Sequence, residues 1–248
     1  MTPGAILRTE GLRMAFGGLS IFKNLDFSLQ AGYRHAIVGP NGAGKSTFVH
    51  LLTGLLRPSG GRVVLDGRDI THATPQQRVQ GGLVRTFQLN TLFPALPPLE
   101  AAVLALCQRE HLGGLSLRSL ARRPRQIEEA WSLLERFGLA SEARRPTGLL
   151  SYGQQRLLEV ALAYALRPQV LLLDEPAAGL STAQGHALFE QLATLTAGTT
   201  LLFIEHDMNL VFRYADRVSV FAGGDVIAEG TPTEVRSNDL ARKAYLGH

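Results

Sequence analysis

The loop Gly39-Pro-Asn-Gly-Ala-Gly-Lys-Ser-Thr47 constrains this chain more than any other segment. It fits the pattern G-x-x-x-x-G-K-[ST], which has meaning only between a strand and a helix. Both flanks are present. Residues 33–38 read as a strand running into the glycines, and a helix starting at Lys45 carries Phe48, Leu51, Leu52 and Leu55 at helical spacing. Glycines at Gly39, Gly42 and Gly44 let backbone N–H groups turn inward on a phosphate, and the helix N-terminus adds its positive dipole. In such a loop Lys45 reaches the β- and γ-phosphates, and the Ser46 hydroxyl is a ligand for Mg²⁺.

The remainder of the chain reads as an α/β fold around that loop. Short strands over residues 6–12 and 21–29, with alternation in Leu25-Asp26-Phe27-Ser28-Leu29, predict an antiparallel β subdomain at the N-terminus. Gly60-Gly61 precedes a further strand over 62–65. From 89 to 149 β-branched runs vanish. Helical patterns such as Ile127, Trp131, Leu134 and Phe137 replace them, bounded by Pro97-Pro98 and Pro124. Strands return over 170–173, 199–204 and 218–221, alternating with helices, as in a mostly parallel sheet. The expectation is one domain: a nucleotide-binding core from 1–88 and 168–248, with a helical subdomain over 89–167.

Composition narrows the class. With 45% hydrophobic and 19% charged residues the chain can bury a core and does not read as disordered. The formal charge is +4, without a Lys/Arg block, so nucleic acid is not an expected partner. Cys107 is the one cysteine; it lies in an apolar helical run and reads as a buried inert thiol. No run approaches ~18 apolar residues, and the start lacks a targeting pattern, so any membrane role is expected to pass through a partner.

Several residues carry candidate chemistry. Asp174 closes the apolar strand 170–173, where a carboxylate can hold the water shell of Mg²⁺; Glu175 beside it can orient and polarise an attacking water. Gln88 ends the strand-like stretch 83–88, and His206 follows the strand ending at Ile204. Gln88 can reach a metal or water and His206 a phosphate oxygen, but each, taken singly, reads more readily as an ordinary loop or surface residue. Ser151 and Gly153 open a helix with apolar positions Leu157, Val160, Ala161 and Tyr164. That opening is either an anion site or a capped helix and nothing more. Phe16, before Gly17-Gly18, is either a stacking surface for a base or a core residue.

Together these motifs resemble the ATP-binding-cassette (ABC) ATPases over essentially the whole chain: Phe16, the phosphate loop, Gln88, the signature Leu150-Ser-Tyr-Gly-Gln154, Asp174-Glu175 and His206, in that order. The resemblance implies a P-loop NTPase core with ATP and Mg²⁺ as cofactors. Two domains would pack head to tail, with the phosphate loop of one and the signature of the other sandwiching ATP. It implies ATP contacts from Phe16, Gly39, Asn41, Gly42, Ala43, Gly44, Lys45, Ser46 and Thr47, and from Ser151, Gly153 and Gln154 across the dimer. Ser46, Gln88 and Asp174 are the implied metal ligands, and Glu175, His206, Gln88 and Lys45 the catalytic set.

A closer likeness is to the larger ATPase subunit of branched-chain (hydrophobic) amino acid importers. It rests on Phe16-Gly-Gly-Leu19, Arg85-Thr-Phe-Gln88, Ser151-Tyr-Gly-Gln-Gln155, Asp174-Glu-Pro-Ala-Ala-Gly-Leu180 and the tail Glu229-Gly-Thr-Pro-Thr-Glu-Val235 with Ala244-Tyr-Leu-Gly247. The implied partners are transmembrane permease subunits, reached through the insert around 89–98, a second ABC ATPase subunit, identical or different, and indirectly an extracytoplasmic solute-binding protein. The implied location is peripheral, at the cytoplasmic face of the cell membrane. The alternatives are the ATPase of a lipid or lipopolysaccharide exporter, of a urea or amide importer, or a non-transport ABC ATPase. Three positions depart from the wider family pattern: Ser181 where Asp or Asn is frequent, Leu162 where arginine is frequent, and Tyr152 in place of the second signature glycine.

Overall fold

The computed structural model of the chain describes residues 4–86, 92–112 and 123–246. Two compact units emerge: Met1–Val84 with Gln169–Pro176 and Gly198–His248, and Arg85–Pro168 with Ala177–Ala197.

The first unit carries two sheets. One joins β1 (Ala5–Phe16), β2 (Leu19–Gln30), β4 (Gly60–Leu65) and β5 (Arg68–Asp69) in the order β2-β1-β4-β5, all pairs antiparallel. Along β2 the side chains of Leu25, Phe27 and Leu29 turn into the core on alternate positions, the period-2 pattern of a strand with one wet face. The other sheet contains β3 (Arg34–Val38), β6 (Leu83–Arg85), β7 (Val170–Asp174), β8 (Thr200–Ile204), β9 (Arg217–Ala222) and β10 (Asp225–Gly230). Its order is β10-β9-β3-β8-β7-β6; β9, β3, β8 and β7 run parallel and β10 returns antiparallel. The run Leu171-Leu172-Leu173 and all of β8 are buried, the near-continuous apolar pattern of strands covered on both faces. The expected α/β core with a mostly parallel sheet and an antiparallel N-terminal sheet is therefore present.

Helices of this unit are α1 (Lys45–Thr53), α2 (Pro75–Gln80) and, after β8, Met208–Tyr214, Pro232–Ser237 and Asp239–Leu246. Helix α1 ends two residues short of Leu55. Gly54 adopts φ 78° as its C-cap, and Leu55 is exposed instead of continuing the apolar face. The core under α1 is aromatic: Phe48 lies 5.2 Å from Phe27 and 5.1 Å from Phe221, ring to ring, and meets Phe22 edge-on at 6.2 Å. Burying one such ring stabilises the fold by about 2–3 kcal/mol, so the loop ahead of α1 rests on a fixed base.

The second unit is helical: α3 (Pro98–Arg109), α4 (Pro124–Arg136), α5 (Tyr152–Ala165) and α6 (Thr182–Leu195). Proline at N1 starts α3 and α4, where its missing N–H costs nothing. Small residues, Ala102, Ala130 and Ala165, with Val103, Leu106 and Cys107, form the buried seam, and Leu162 packs against it. Cys107 is fully buried as the sequence predicts, and burial raises its thiol pKa.

Candidate functional site

Three chain segments leave the carboxyl edge of the parallel sheet side by side. The register pairs Ile37 with Ile204 and Asp174 with Ile204, so β3, β8 and β7 end level with one another. From those ends come the loop 39–47, the segment carrying His206, and the pair Asp174-Glu175. Ligands of open α/β sheets bind at this edge.

The loop is shaped by close approaches that only glycine allows. A Cβ on Gly39 would stand 2.2 Å from the backbone oxygen of Phe221, and one on Gly44 2.8 Å from the Phe22 ring. Gly42 and Gly44 also hold left-handed φ values of 81° and 94°. Asn41 and Ser46 are exposed, Thr47 is half-buried and Ala43 is buried. Lys45 is buried; its Nζ donates to the carbonyl oxygens of Gly39 at 2.7 Å and Pro40 at 3.0 Å. Burial lowers its pKa, while the charges of Glu175 and Asp174 act to raise it, which puts both carboxylates within electrostatic reach of the ammonium.

The N-terminus of α1 has no capping side chain. Among the described α-helices it is the only one that begins with neither a side-chain cap nor a proline. Its leading N–H groups fit an anion such as a phosphate. Hard oxygen donors, Ser46 and Asp174, stand at the loop and at the adjoining strand end. No cluster of three or more His, Cys, Asp or Glu suited to a metal occurs among the described residues. Few protein ligands beside phosphates is the pattern of Mg²⁺.

Glu175 has φ 49°, a left-handed conformation that is rare and costly for a residue with a side chain. Its N–H bonds the Ile204 carbonyl at 3.0 Å, and its carboxylate Oε1 lies 2.7 Å from Nε2 of His206. Both side chains are about two-fifths exposed, 40% and 43%, so the pair faces solvent. Phe16, at the end of β1, is 48% exposed and is no core residue. Gln88 lies outside the described residues.

Ser151, Gly153 and Gln154 belong to the helical unit and start α5. Ser151 Oγ accepts from the Gln154 N–H at 3.3 Å, and Gln154 Oε1 accepts from the Ser151 N–H at 2.9 Å, a complete capping box. Gly153 has no such internal duty: its φ is not left-handed and, among the described residues, no atom beyond its chain neighbours and its own helix backbone lies within 4 Å of a Cβ placed there. Ser181 caps α6 in the same reciprocal way with Gln184.

Residues 22–178 match the family model described as ABC transporter. The chain belongs to the ABC transporter family. It is one of that family's ATPase cassettes. A second model, branched-chain amino acid ATP-binding cassette transporter, matches the tail of the cassette at residues 226–248. The cassette is 40% identical over 98% of both chains to the high-affinity branched-chain amino acid transport ATP-binding protein LivG of Salmonella typhimurium. It is 39% identical, again over 98% of both, to the corresponding protein BraF of Pseudomonas aeruginosa. A solved structure described as the ADP conformation of an ATP-binding cassette of an ABC transporter matches at TM-score 0.84 and 33% identity, covering 98% of this chain and 99% of that one.

Two clusters in the cassette escape a reading of the sequence. Arg78 is fully buried and closes the far end of α1: its Nη1 donates to the carbonyls of Leu51 and Leu52, both at 2.6 Å, with further bonds to Thr71 and Ala73. Burial lowers its pKa to about 10. A lone arginine in Pro-Gln-Gln-Arg-Val-Gln gives no hint of this. The second cluster surrounds Tyr152, whose hydroxyl donates to the Ala178 carbonyl at 2.8 Å and accepts from Arg156 Nη2 at 3.0 Å. Here the i, i+4 and i, i+3 spacing of Tyr152, Arg156 and Glu159 was a usable signal.

Proposed function

We propose that the cassette binds and hydrolyses ATP to drive a membrane importer of branched-chain or other hydrophobic amino acids. Lys45 and the N–H groups of the loop hold the β- and γ-phosphates, and Phe16 offers its exposed face to adenine. Ser46 and Asp174, with Gln88, are the oxygen donors for Mg²⁺, which neutralises phosphate charge when bound. Glu175 orients the attacking water and takes its proton; His206, bonded to that carboxylate, turns its other face toward the γ-phosphate.

The observation that carries the hydrolytic reading is the strained backbone of Glu175 beside His206 at 2.7 Å. Strain of this kind persists where the surrounding structure over-determines it, and such positions concentrate at functional sites. The amino acid cargo is inferred from the relatives' names and from the tail match. None of the described helices is long and apolar enough to cross a membrane. Attachment to permease subunits at the cytoplasmic face is inferred from the relatives' names as transport ATP-binding proteins.

The second half of the proposal is that Ser151, Gly153 and Gln154 complete the site of another cassette, identical or different. Gly153 supports it. A helical glycine costs roughly 0.5–1 kcal/mol relative to alanine, and among the described residues no close approach requires one at this position. The test is to purify the cassette with its permease and partner ATPase, reconstitute them in vesicles, and measure ATP-driven uptake. Leucine uptake that requires Glu175 is the expected result. Uptake of urea, outward lipid movement, or no coupling to ATP would contradict it.

A further inference from the structure

The hydrogen bonding around Tyr152 points beyond the signature's contact with nucleotide. Arginine is a donor only, so the bond from Arg156 fixes Tyr152 Oη as acceptor and directs the phenolic hydrogen to the Ala178 carbonyl. The guanidinium also lies over the tyrosine ring, 5.2 Å from its centroid. Ala178 stands three residues beyond Glu175, in the loop that leaves the acidic strand. The next residue, Gly179, has φ 80°, and a Cβ there would meet Tyr152 Oη at 2.9 Å. Loop and ring are therefore shaped for one another.

The support behind the tyrosine is costly. Arg156 and Glu159 are both buried and share one bond, Nη1 to Oε2 at 3.0 Å. Arg156 Nε and Glu159 Oε1 have no hydrogen-bond partner among the described residues. A buried ion pair left partly unsatisfied adds little stability over an apolar pair of similar size. Its visible effect is to hold Tyr152 in place.

We propose that Tyr152 is a positioning residue for hydrolysis. Oriented by Arg156, it ties the start of the signature helix to the loop behind Glu175, so that closure of a second cassette on the signature is reported to this cassette's own acidic strand. The inference rests on the head-to-tail reading given above. It adds a link from a site completed for the neighbour to the chain's own catalytic segment.

The experiment has two arms. In the full chain without nucleotide, Tyr152→Phe removes only the hydroxyl, and amide exchange at Gly179 and Leu180 is expected to quicken at least ~5-fold while residues 157–165 keep their protection. In the assembled transporter the same variant is expected to lower kcat for ATP by about 5–10-fold, the worth of one hydrogen bond, with KM within about 2-fold. The paired variant Arg156→Met with Glu159→Gln removes both buried charges together and is expected to reproduce the loss in kcat. Unchanged loop exchange would overturn the tether. A raised KM with normal kcat would make Tyr152 a nucleotide contact instead, and a paired variant with normal turnover would remove Arg156 from the account. Failure of the underlying reading is separately visible, as an assembled wild-type transporter with no ATP turnover, and the positioning role would fall with it.

Discussion

The cassette contains two glycine-bearing helix starts that solve opposite problems. At α1 the leading N–H groups lack any side-chain cap, and the glycines are forced by neighbours: Gly39 by the Phe221 carbonyl, Gly44 by the Phe22 ring. At α5 the cap is complete, and a Cβ at Gly153 would meet no described residue beyond its chain neighbours and its own helix backbone. The first start fits an anion within its own chain. The second is satisfied internally, and under the proposed function its one glycine serves another cassette. A shared composition thus conceals a difference that only the surroundings of each Cα reveal.

The strongest way to sharpen this contrast is Glu175→Gln. It should lower ATP turnover at least ~100-fold, the usual worth of a general base, while equilibrium binding of ATP to the α1 site stays near normal. Lost binding instead of lost turnover would place Glu175 among the phosphate contacts. Arg78→Met tests the far end of α1. Four carbonyls lose their donor there, and denaturant unfolding should show a loss of about 2–3 kcal/mol, reduced by removal of a buried charge. Gly39→Ala attacks the near end. The 2.2 Å approach must open, so stability should fall by about 1–3 kcal/mol and ATP affinity with it; an affinity equal to wild type would show that the loop tolerates the shift.

Acid probes the strand that delivers the loop. His35 on β3 is fully buried, its Nε2 2.8 Å from Ser219 Oγ, and burial, with Arg217 nearby, lowers its pKa to about 3. Its folded value lies below the ordinary 6.5, so the unfolded chain binds the proton first and this group costs stability as pH falls from 6.5 toward 3. The slope approaches about 1.4 kcal/mol per pH unit for this one group. Above about pH 8 this group contributes no further change. Comparing urea midpoints at pH 7 and pH 5 for wild type and His35→Gln should show a smaller acid loss in the variant; equal losses would clear His35 of the effect.

The phosphate loop and the acidic strand end were legible in the sequence because their chemistry is local: each is a short run of residue types at a strand end. His206, a single residue, stood out only through the family resemblance. The α/β class followed from the same alternation. The end of α1 was not legible, because periodicity carries on to Leu55 while Gly54 takes φ 78° against the buried Arg78 guanidinium. Nor was the strain at Glu175, whose N–H is claimed by Ile204 on a neighbouring strand. Phe16 could be read two ways, and only its exposure excludes the core. In each case the deciding partner lies far away in sequence or is set by backbone angles that residue type does not announce.

The contrast between the two helix starts is tested most directly by Gly153→Asp. An acidic side chain in the first turn suits the helix dipole, and the site is open, so the isolated chain should unfold at the same denaturant concentration or be stabilised by about 0.3–1 kcal/mol. In the assembled transporter the new carboxylate would face the neighbour's phosphates, and ATP turnover should fall at least ~100-fold. Turnover near wild type, or a loss of activity matched by a loss of folding stability, would contradict the claim that Gly153 serves a site outside its own chain.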